Sequence, residues 1–384
     1  MRLPRTVIAL GAVSLLTDAS SEMIYPLLPV FLSSVLGAGP LAIGAIEGAA
    51  ESVASLLKLA SGWWSDRLPR RKALVVIGYG MASVVRPLIG LAQNVGQVLA
   101  IRLTDRAGKG IRGAPRDALI ADAVDASQRG RAYGFHRAMD HSGAVIGPLV
   151  AAALLKWGGL SLRTVFLLAA IPAALAMIAL IFGVKESKRE AGGATKKPNL
   201  AREGLDRRFW LYLLVLLVFT LGNSTDALLI LRATDLGVSA ALVPVLWAVL
   251  HVVKATSSTP AGTLSDRLGR RPLIIAGWLV YGAVYLGFAA ASATWHAWAL
   301  FIVYGFYFGL TEGVEKALVA DLVPAAVRGA AFGWYNLTIG LAALPASLIF
   351  GGLWQAFGAP VAFVTGASLA LLASVGLYFV TRDS

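Results

Sequence analysis

Five basic side chains lie at helical spacing in one stretch of the sequence. The intervals are 4, 3, 3 and 4 residues, for Arg102, Arg106, Lys109, Arg112 and Arg116. At about 100° per residue, a helix carries all five within a sector of about 120°. Such cations repel one another unless anions face them, and Asp18 and Glu22 can face only part of the stripe. The excess positive potential predicts a site for an anionic solute, with structural ion pairing as the alternative for each single residue.

A second set of side chains could bind and release protons. In apolar surroundings a carboxylate favours its neutral form and can exchange a proton near neutral pH. A packing role is the alternative for each histidine. The proton-coupling candidates are Asp18, Glu22, Glu51, His136, Asp140 and Glu312. The substrate-binding candidates are Asp18, Glu22, Arg106, Lys109, Arg112, Arg116, Asp226, His251, Glu312 and Glu315.

Several other kinds of chemistry find no support in the sequence. Cysteine is absent, which excludes a disulfide, a thiol nucleophile and a cysteine-ligated metal. Gly108-Lys-Gly110-Ile-Arg-Gly113 formally matches a dinucleotide-binding pattern, but no strand precedes it. We expect these glycines, with Pro115, to loosen their helix and let neighbouring helices approach. The sequence therefore predicts no enzyme, no cofactor and no resident metal.

The composition indicates what positions these groups. Of 384 residues, 57% are hydrophobic and 14% are charged, and the mean hydropathy is +0.72. Soluble domains carry about 25% charged residues, so we predict an all-α polytopic membrane protein. A span needs about 20 apolar residues. Twelve helices are predicted, at 6–33, 42–64, 72–92, 97–122, 132–156, 161–183, 208–232, 238–262, 272–292, 296–321, 329–350 and 357–380.

The basic residues indicate the orientation of these spans. Lys and Arg concentrate at the termini and at 67–72, 129–131, 185–208 and 267–271, whereas the loops near 34–42, 92–96, 233–238 and 351–359 contain none. This asymmetry follows the positive-inside rule and predicts that both termini are cytoplasmic. The net charge of +13 therefore indicates membrane orientation and not nucleic-acid binding. We expect an integral protein of a bacterial inner membrane.

One charged segment occurs twice. Ser65-Asp-Arg-Leu-Pro-Arg-Arg71 returns 200 positions later as Ser265-Asp-Arg-Leu-Gly-Arg-Arg271, with one difference in seven positions. Each copy separates two apolar runs and is predicted to form a charged loop of about ten residues. The duplication predicts two related halves. The predicted domains are 1–183 and 208–384, each a six-helix bundle, with a cytoplasmic linker at 184–207.

Twelve spans, two halves and a Gly-x-x-x-Asp-Arg-x-x-Arg-Arg hairpin resemble the major facilitator superfamily over the whole chain. Pro69 departs from the family pattern, where glycine is usual, and Gly269 keeps it. The resemblance implies that helices one, four, seven and ten line a central cavity. It also implies a cytoplasmic latch made by Asp66 and Arg67, with Asp122 as a partner. The gating candidates are Gly62, Asp66, Arg67, Asp122, Gly143, Gly147, Pro148, Asp266 and Arg267. Arg70, Arg71 and Lys72 are interpreted as a positive-inside anchor.

Gly143-Ala-Val-Ile-Gly147-Pro148 resembles the glycine–proline motif that antiporters of the family carry on helix five. We expect its glycines to pack against helix eight. The resemblance implies a secondary transporter working by alternating access, most simply a proton-coupled exporter of a small charged solute. The alternatives are a proton-coupled uptake symporter, a divalent-metal exporter and a non-transporting membrane sensor. The expected partners are a small-molecule substrate, protons and the lipid bilayer, and the expected state is a monomer.

Overall fold

A computed structural model describes residues 3–67, 71–124, 129–185, 205–324 and 327–380. Within these ranges it gives no side-chain description for residues 62–67, 121, 129–131, 134, 328 and 329. The described part of the chain is helical, and the fold is the predicted all-α membrane fold. Its helices are α1 Arg5–Glu22, α2 Leu28–Ser34, α3 Pro40–Arg67, α4 Lys72–Val85, α5 Val95–Asp122, α6 Arg129–Lys156, α7 Leu162–Leu168, α8 Ala170–Ile178, α9 Arg207–Gly222, α10 Asp226–Asp235, α11 Val243–Leu268, α12 Arg270–Ala290, α13 Thr294–Asp321, α14 Arg328–Phe357 and α15 Ala359–Val380.

Ten helical segments in the described ranges are long and apolar enough to cross a membrane. Some of them combine consecutive elements, such as Arg5–Ser34 and Arg207–Asp235. The charged α5 and the helix α11 lie outside these ten, although they have 28 and 26 residues. The sequence predicts both as spans, and for α5 the prediction depends on the repeat. That α5 and α11 also cross the membrane stays a prediction.

Two predicted helices are interrupted at repeat-related places. The predicted helix 6–33 breaks after Glu22, and the chain continues as a 3₁₀ turn, Tyr25–Leu27, before α2 begins. The predicted helix 208–232 breaks between α9 and α10, where the Thr225 hydroxyl caps the new helix by accepting from Ala227 N at 3.3 Å. Both predictions of a continuous helix are wrong. Pro26, which lacks an N–H, and the Asn-Ser-Thr turn at 223–225 explain the breaks.

The second charged hairpin is shorter than predicted. α11 continues to Leu268 and α12 begins at Arg270, so Gly269 alone separates them. Its φ of +91° lies in a region that other residues rarely adopt, which explains why glycine stands there. The expectation of a loop of about ten residues is therefore wrong for this copy. In the first copy, residues 68–70 lie outside the described ranges.

Contacts divide the chain into two units. The first unit comprises residues 1–31 and 53–197, and the second comprises 32–52 and 198–384. In the first unit the closest helix pairs are α1 with α6 and α4 with α5. In the second they are α11 with α13 and α12 with both α13 and α15. The α4–α5 and α12–α13 pairs are repeat equivalents. The predicted domain boundaries at 183 and 208 stay a prediction.

Small residues bring the helices of these pairs together. A Cβ on Gly78 of α4 would lie 2.6 Å from Gly108 O of α5, and one on Gly110 would lie 2.8 Å from Ala54 O of α3. A Cβ on Gly277, the repeat equivalent of Gly78, would collide with the Thr311 side chain of α13 and lie 3.1 Å from Leu310 Cβ. Gly108 and Gly110 of the formal dinucleotide pattern are therefore packing residues. They hold the charged face of α5 close to its neighbours.

Candidate functional site

The buried charges of the first unit centre on Asp105. Its Oδ1 lies 2.8 Å from Arg86 Nη2, and its Oδ2 lies 3.2 Å from Arg102 Nη1. All three side chains are buried. Arg86 also donates to Thr17 O at 3.1 Å, which ties this centre to α1. One carboxylate thus pairs with two buried guanidinium groups.

The cationic stripe of α5 divides among several partners. Arg102 and Arg106 both lie over the Tyr25 ring, with Cζ 5.6 and 5.8 Å from its centroid. Arg116 pairs with its neighbour Asp117 at 2.9 Å. Arg102 and Arg116 each pair with an acid of α5 itself, an arrangement that fits the structural alternative for these two positions.

Arg112 has a different environment. It is buried, and its guanidinium lies 4.1 Å from the centroid of the Tyr79 ring. Among the described residues, neither Arg112 Nη1 nor Arg106 Nε has a hydrogen-bond partner. A buried guanidinium donor without a partner is costly. These two groups retain the capacity to bind an anion, and the exposed Lys109 lies between them in sequence.

Gly143 and Gly147 of α6 pack against α1, and their predicted packing against helix eight stays a prediction. A Cβ on Gly147 would collide with the carbonyl oxygen of Ala19, and one on Gly143 would collide with that of Leu15. The same added Cβ on Gly143 would lie 3.0 Å from the Cβ of Asp18. The glycine motif therefore places Asp18 directly on α6. Pro148 is buried, and α6 continues through it as a helix.

The acid and imidazole groups of α6 lie at this crossing. His136 Nδ1 is 3.4 Å from Asp140 Oδ2, and the Ser14 hydroxyl of α1 donates to Asp140 Oδ1. His136 is buried, and its Nε2 has no partner among the described residues. Asp140 and Arg112 are the two charged groups with the largest electrostatic effect on Asp18. Glu22 lies one turn further along α1 and acts on Asp18 as well.

The repeated gating segments contain equivalent ion pairs. Arg71 Nη1 lies 2.6 Å from Asp122 Oδ2, and Arg270 Nε lies 3.3 Å from Asp321 Oδ2. Both pairs span 51 residues. Arg71 is buried, so its interpretation as a mere anchor is wrong. Lys72 donates to Ile181 O and Val184 O at 2.8 and 2.6 Å, which also differs from the predicted anchor role.

Among the other gating candidates, the structure describes the side chains of Asp266 and Arg267. Asp266 accepts from Arg270 within its hairpin, and both Asp266 and Arg267 are exposed. The side chains of Gly62, Asp66 and Arg67 lie outside what the structure describes. The latch between Asp66, Arg67 and Asp122 therefore stays a prediction. The described partner of Asp122 is Arg71.

In the second unit, four tyrosines surround the helix break. Tyr304 OH donates to Asp226 Oδ1 at 2.7 Å, and Tyr281 OH donates to Gly222 O at 2.9 Å. Tyr285 OH lies 3.2 Å from the Ser224 hydroxyl, and Asn223 Nδ2 donates to Tyr307 OH at 3.3 Å. The phenols thus satisfy polar groups that the interrupted helix leaves without intrahelical partners.

Further predicted residues of the second unit lie near this break. Lys254 Nζ forms a 3.0 Å ion pair with Glu312 Oε2 and lies 4.3 Å from the Phe308 ring centroid. Lys254 and Glu51 both act electrostatically on Asp226. The His251 ring packs against Trp247 at 5.1 Å between centroids. Glu312 therefore has a cation partner, and Glu51 is exposed.

Glu315 lies apart from these cations. Trp278 Nε1 donates to its Oε1 at 3.0 Å, and Tyr335 OH donates to its Oε2 at 2.9 Å. The side chain is buried, with 7% of the residue exposed. Its partners are aromatic side chains from α12 and α14. This carboxyl group is therefore held by neutral donors on both oxygens.

Sequence reasoning missed several functional groups. Arg86 lies at the end of an apolar run and was not singled out, although a charge there requires a partner. In the sequence Asp105 is one acid among the bases of α5, and only the packing of α4 and α5 makes it the partner of both Arg86 and Arg102. Tyr281 and Tyr285 of α12 are four residues apart and Tyr304 and Tyr307 of α13 are three apart, and this helical spacing could have indicated a polar aromatic face.

Comparisons with known proteins agree with this architecture. The sequence profile of the Major Facilitator Superfamily matches residues 10–311 and 226–384. An uncharacterized MFS-type transporter of Methanocaldococcus jannaschii is 35% identical, over 98% of this chain and 95% of the relative. Multidrug resistance protein MdtG of Enterobacter lignolyticus is 26% identical, over 94% and 88%. The crystal structure of the nucleoside transporter NupG superposes with a TM-score of 0.81 over 99% of this chain and 100% of that chain, at 13% identity, a likeness in fold alone.

Proposed function

The chain belongs to the major facilitator superfamily, and from this premise we propose that it exports a small charged solute in exchange for protons. It is a membrane transporter and not an enzyme. The relatives named multidrug resistance protein support export over uptake. We place the protein in a bacterial inner membrane with both termini in the cytoplasm, and we treat it as a monomer of two six-helix bundles that alternate in access.

The observation that carries the proposal is the proximity of Asp18 and Asp140 at the α1–α6 crossing. Ser14, one turn before Asp18 on α1, donates to Asp140, and two like charges that share such a site disfavour the doubly ionised state. The site therefore favours holding one proton. His136 extends the site by an imidazole, whose Nδ1 lies 3.4 Å from Asp140 Oδ2.

Exchange of solute for protons follows if the solute and the proton compete for binding to Asp18 and Asp140. A cationic group of the solute would neutralise Asp18 or Asp140 and make the bound proton unnecessary. Loss of the proton from one face of the membrane, and its return from the other, would then bias the conformational equilibrium in opposite directions. The packed glycine crossing transmits the change, because α1 and α6 cannot move independently there.

A second candidate, proton–anion symport, is supported by Arg112. Protonation of Asp18 removes the negative charge that faces Arg112, and the free Arg112 donor then becomes available to an anion. Proton and anion would bind together and move in the same direction. This candidate uses the same residues and differs from the first in the sign of the solute and in the direction of proton movement.

Inside-out membrane vesicles distinguish the two candidates. Vesicles with and without the protein carry a pH-sensitive dye in the lumen, and small carboxylates, phosphates and quaternary ammonium compounds are added outside. Exchange predicts that a quaternary ammonium compound makes the lumen more alkaline only when the protein is present. Acidification by a carboxylate or phosphate instead supports symport. Solute accumulation without any proton movement would contradict both.

A further inference from the structure

A groove in the first unit lies between the first turns of α4 and the end of the sixth predicted helix. Its volume is about 840 Å³, which is within the range of about 300–1,000 Å³ that is typical of small-molecule sites. Apolar side chains from both helices line it, and Ile77, Ile181 and Phe182 among them are exposed. In a membrane protein, exposed apolar side chains on the outer surface of the helices contact lipid chains.

Two lysines, Lys72 and Lys185, line the same groove. Lys72 Nζ donates to Ile181 O and Val184 O at 2.8 and 2.6 Å. Both acceptors are neutral, so these contacts fix the position of the ammonium group without cancelling its charge. Lys185 is exposed, and only its backbone oxygen is used by the Thr6 hydroxyl, which donates to it at 3.1 Å. None of the described residues that line the groove is acidic.

The last turn of the sixth predicted helix explains why Lys72 lies there. Ala179–Gly183 form a π-helical turn, and Val184 leaves the helix with a ψ of 116°. The final carbonyl groups of a helix have no intrahelical donor, and Lys72 of α4 supplies one to two of them. The fold thus holds a positive charge at the groove in advance, which lowers the entropy cost of binding an anion there.

The second unit has a groove at the repeat-related place, and its charges differ. Pro272 lines it where Lys72 lines the first groove, 200 positions earlier. Two arginines and two aspartates line it as well, namely Arg270, Arg271, Asp266 and Asp321. Arg270 forms ion pairs with both aspartates. Because its described cations and acids are equal in number, the second groove attracts an anion less than the first groove does.

We propose that the groove of the first unit binds one anionic phospholipid. The lipid phosphate lies beside Lys72 and Lys185, and the acyl chains lie along Ile77, Ile181 and Phe182. Charge selects the lipid, because basic pockets between membrane helices favour anionic head groups. In the proposed orientation this lipid belongs to the cytoplasmic leaflet, and its binding does not depend on which solute the protein transports.

Native mass spectrometry of the purified full-length protein tests the proposal. The protein in detergent micelles is mixed with equal amounts of dioleoyl phosphatidylglycerol and dioleoyl phosphatidylcholine, which differ only in the head group. We expect the wild type to retain one phosphatidylglycerol in preference to phosphatidylcholine. Lys185→Gln removes a charge and keeps the backbone contact with Thr6, so it should weaken phosphatidylglycerol binding about fivefold. Arg271→Gln, in the repeat-related groove, is the matched control and should bind this lipid as the wild type does.

Lys185→Glu keeps the test sharp, because it reverses the charge at an exposed position that the fold does not need. This variant should bind phosphatidylglycerol more weakly than Lys185→Gln does, with phosphatidylcholine binding unchanged. Equal phosphatidylglycerol binding by the wild type and both Lys185 variants overturns the inference, as does an equal loss in Arg271→Gln. Displacement of the lipid by inorganic phosphate would assign the site to a soluble anion, and dimers in place of lipid-bound monomers would assign the groove to a second copy of the chain. Either of these results also overturns it.

Discussion

Arg86 and Asp105 form a buried ion pair that connects the end of the third predicted helix to the fourth. Their Nη2 and Oδ1 atoms are 2.8 Å apart, and the two side chains are 4% and 3% exposed. Because Asp105 also accepts from Arg102, a single carboxylate holds two buried guanidinium groups. This pair is therefore a structural centre of the first unit, beside which Arg112 remains without a full set of partners.

Asp105→Asn should destabilise the protein strongly. The change removes the carboxylate that the buried Arg86 and Arg102 share, and breaking a buried pair in this way costs about 3–5 kcal/mol. Asp117→Asn is the matched control, since Asp117 is 45% exposed and its pair with Arg116 should contribute about 0–1 kcal/mol. Melting curves in detergent compare the two variants. Equal melting temperatures for both would contradict the central role of Asp105.

The two repeat-related pairs at the cytoplasmic hairpins should differ in strength. Asp122→Asn leaves Arg71, which is only 7% exposed, without its carboxylate, and we expect a loss of about 1–3 kcal/mol. Asp321→Asn affects Arg270, which is 26% exposed and keeps Asp266 as a second partner, so its loss should be about 0–1 kcal/mol. Thermal melting measures both. A larger loss of stability for Asp321→Asn than for Asp122→Asn would show that burial of the arginine does not determine how much each ion pair stabilises the protein.

Gly147→Ala should disturb the α1–α6 crossing. Its new Cβ would collide with the Ala19 carbonyl, which is backbone and cannot rotate away. Overpacking of this kind costs about 1–3 kcal/mol. Gly313→Ala is the control, because a Cβ there meets no atom within 4 Å. Early melting of the Gly147 variant beside a normal Gly313 variant is the expected result, and a reversed order would refute the tight crossing.

Arg112→Ala should weaken the binding of an anionic solute more than it lowers stability. Arg112 has an unsatisfied donor, so its removal takes away a ligand contact and no described ion pair. Arg112→Lys should recover part of the affinity because it restores the positive charge. Binding of whichever carboxylate or phosphate acidifies the vesicles is compared with melting curves of the same variants. Normal binding together with early melting would make Arg112 a structural residue.

The sequence predicts the helices well and their contacts less well. Apolar runs and the duplicated hairpin are local patterns, and they are sufficient for the all-α fold and for a helical α5 despite its charges. The contact of Gly143 and Gly147 with α1 depends on which side of α6 faces which neighbour, and a motif on one helix does not contain that information. Arg86 and Asp105 show the same limit, since each is an isolated charge until α4 and α5 are packed.

The helix breaks show a second limit. Glu22–Tyr25 and Gly222–Asp226 belong to segments that are long enough to form uninterrupted spans, and hydrophobicity alone favours continuous helices there. The second break is stabilised by tyrosines that lie 59 to 84 residues away in sequence. Local propensity cannot reveal such distant partners. Proline and the Asn-Ser-Thr turn are the only local signals of these breaks.

The most direct test of proton coupling through Asp18 and Asp140 uses purified protein in liposomes. A labelled solute identified in the vesicle experiment is followed in two modes, as exchange of labelled for unlabelled solute and as accumulation driven by a pH gradient. Asp18→Asn and Asp140→Asn each leave one carboxylate to bind the solute, so each should keep the exchange, and each should lose the gradient-driven accumulation because the pair that shares a proton is gone. If both variants accumulate solute with the pH dependence of the wild type, protons do not couple to transport at the α1–α6 crossing.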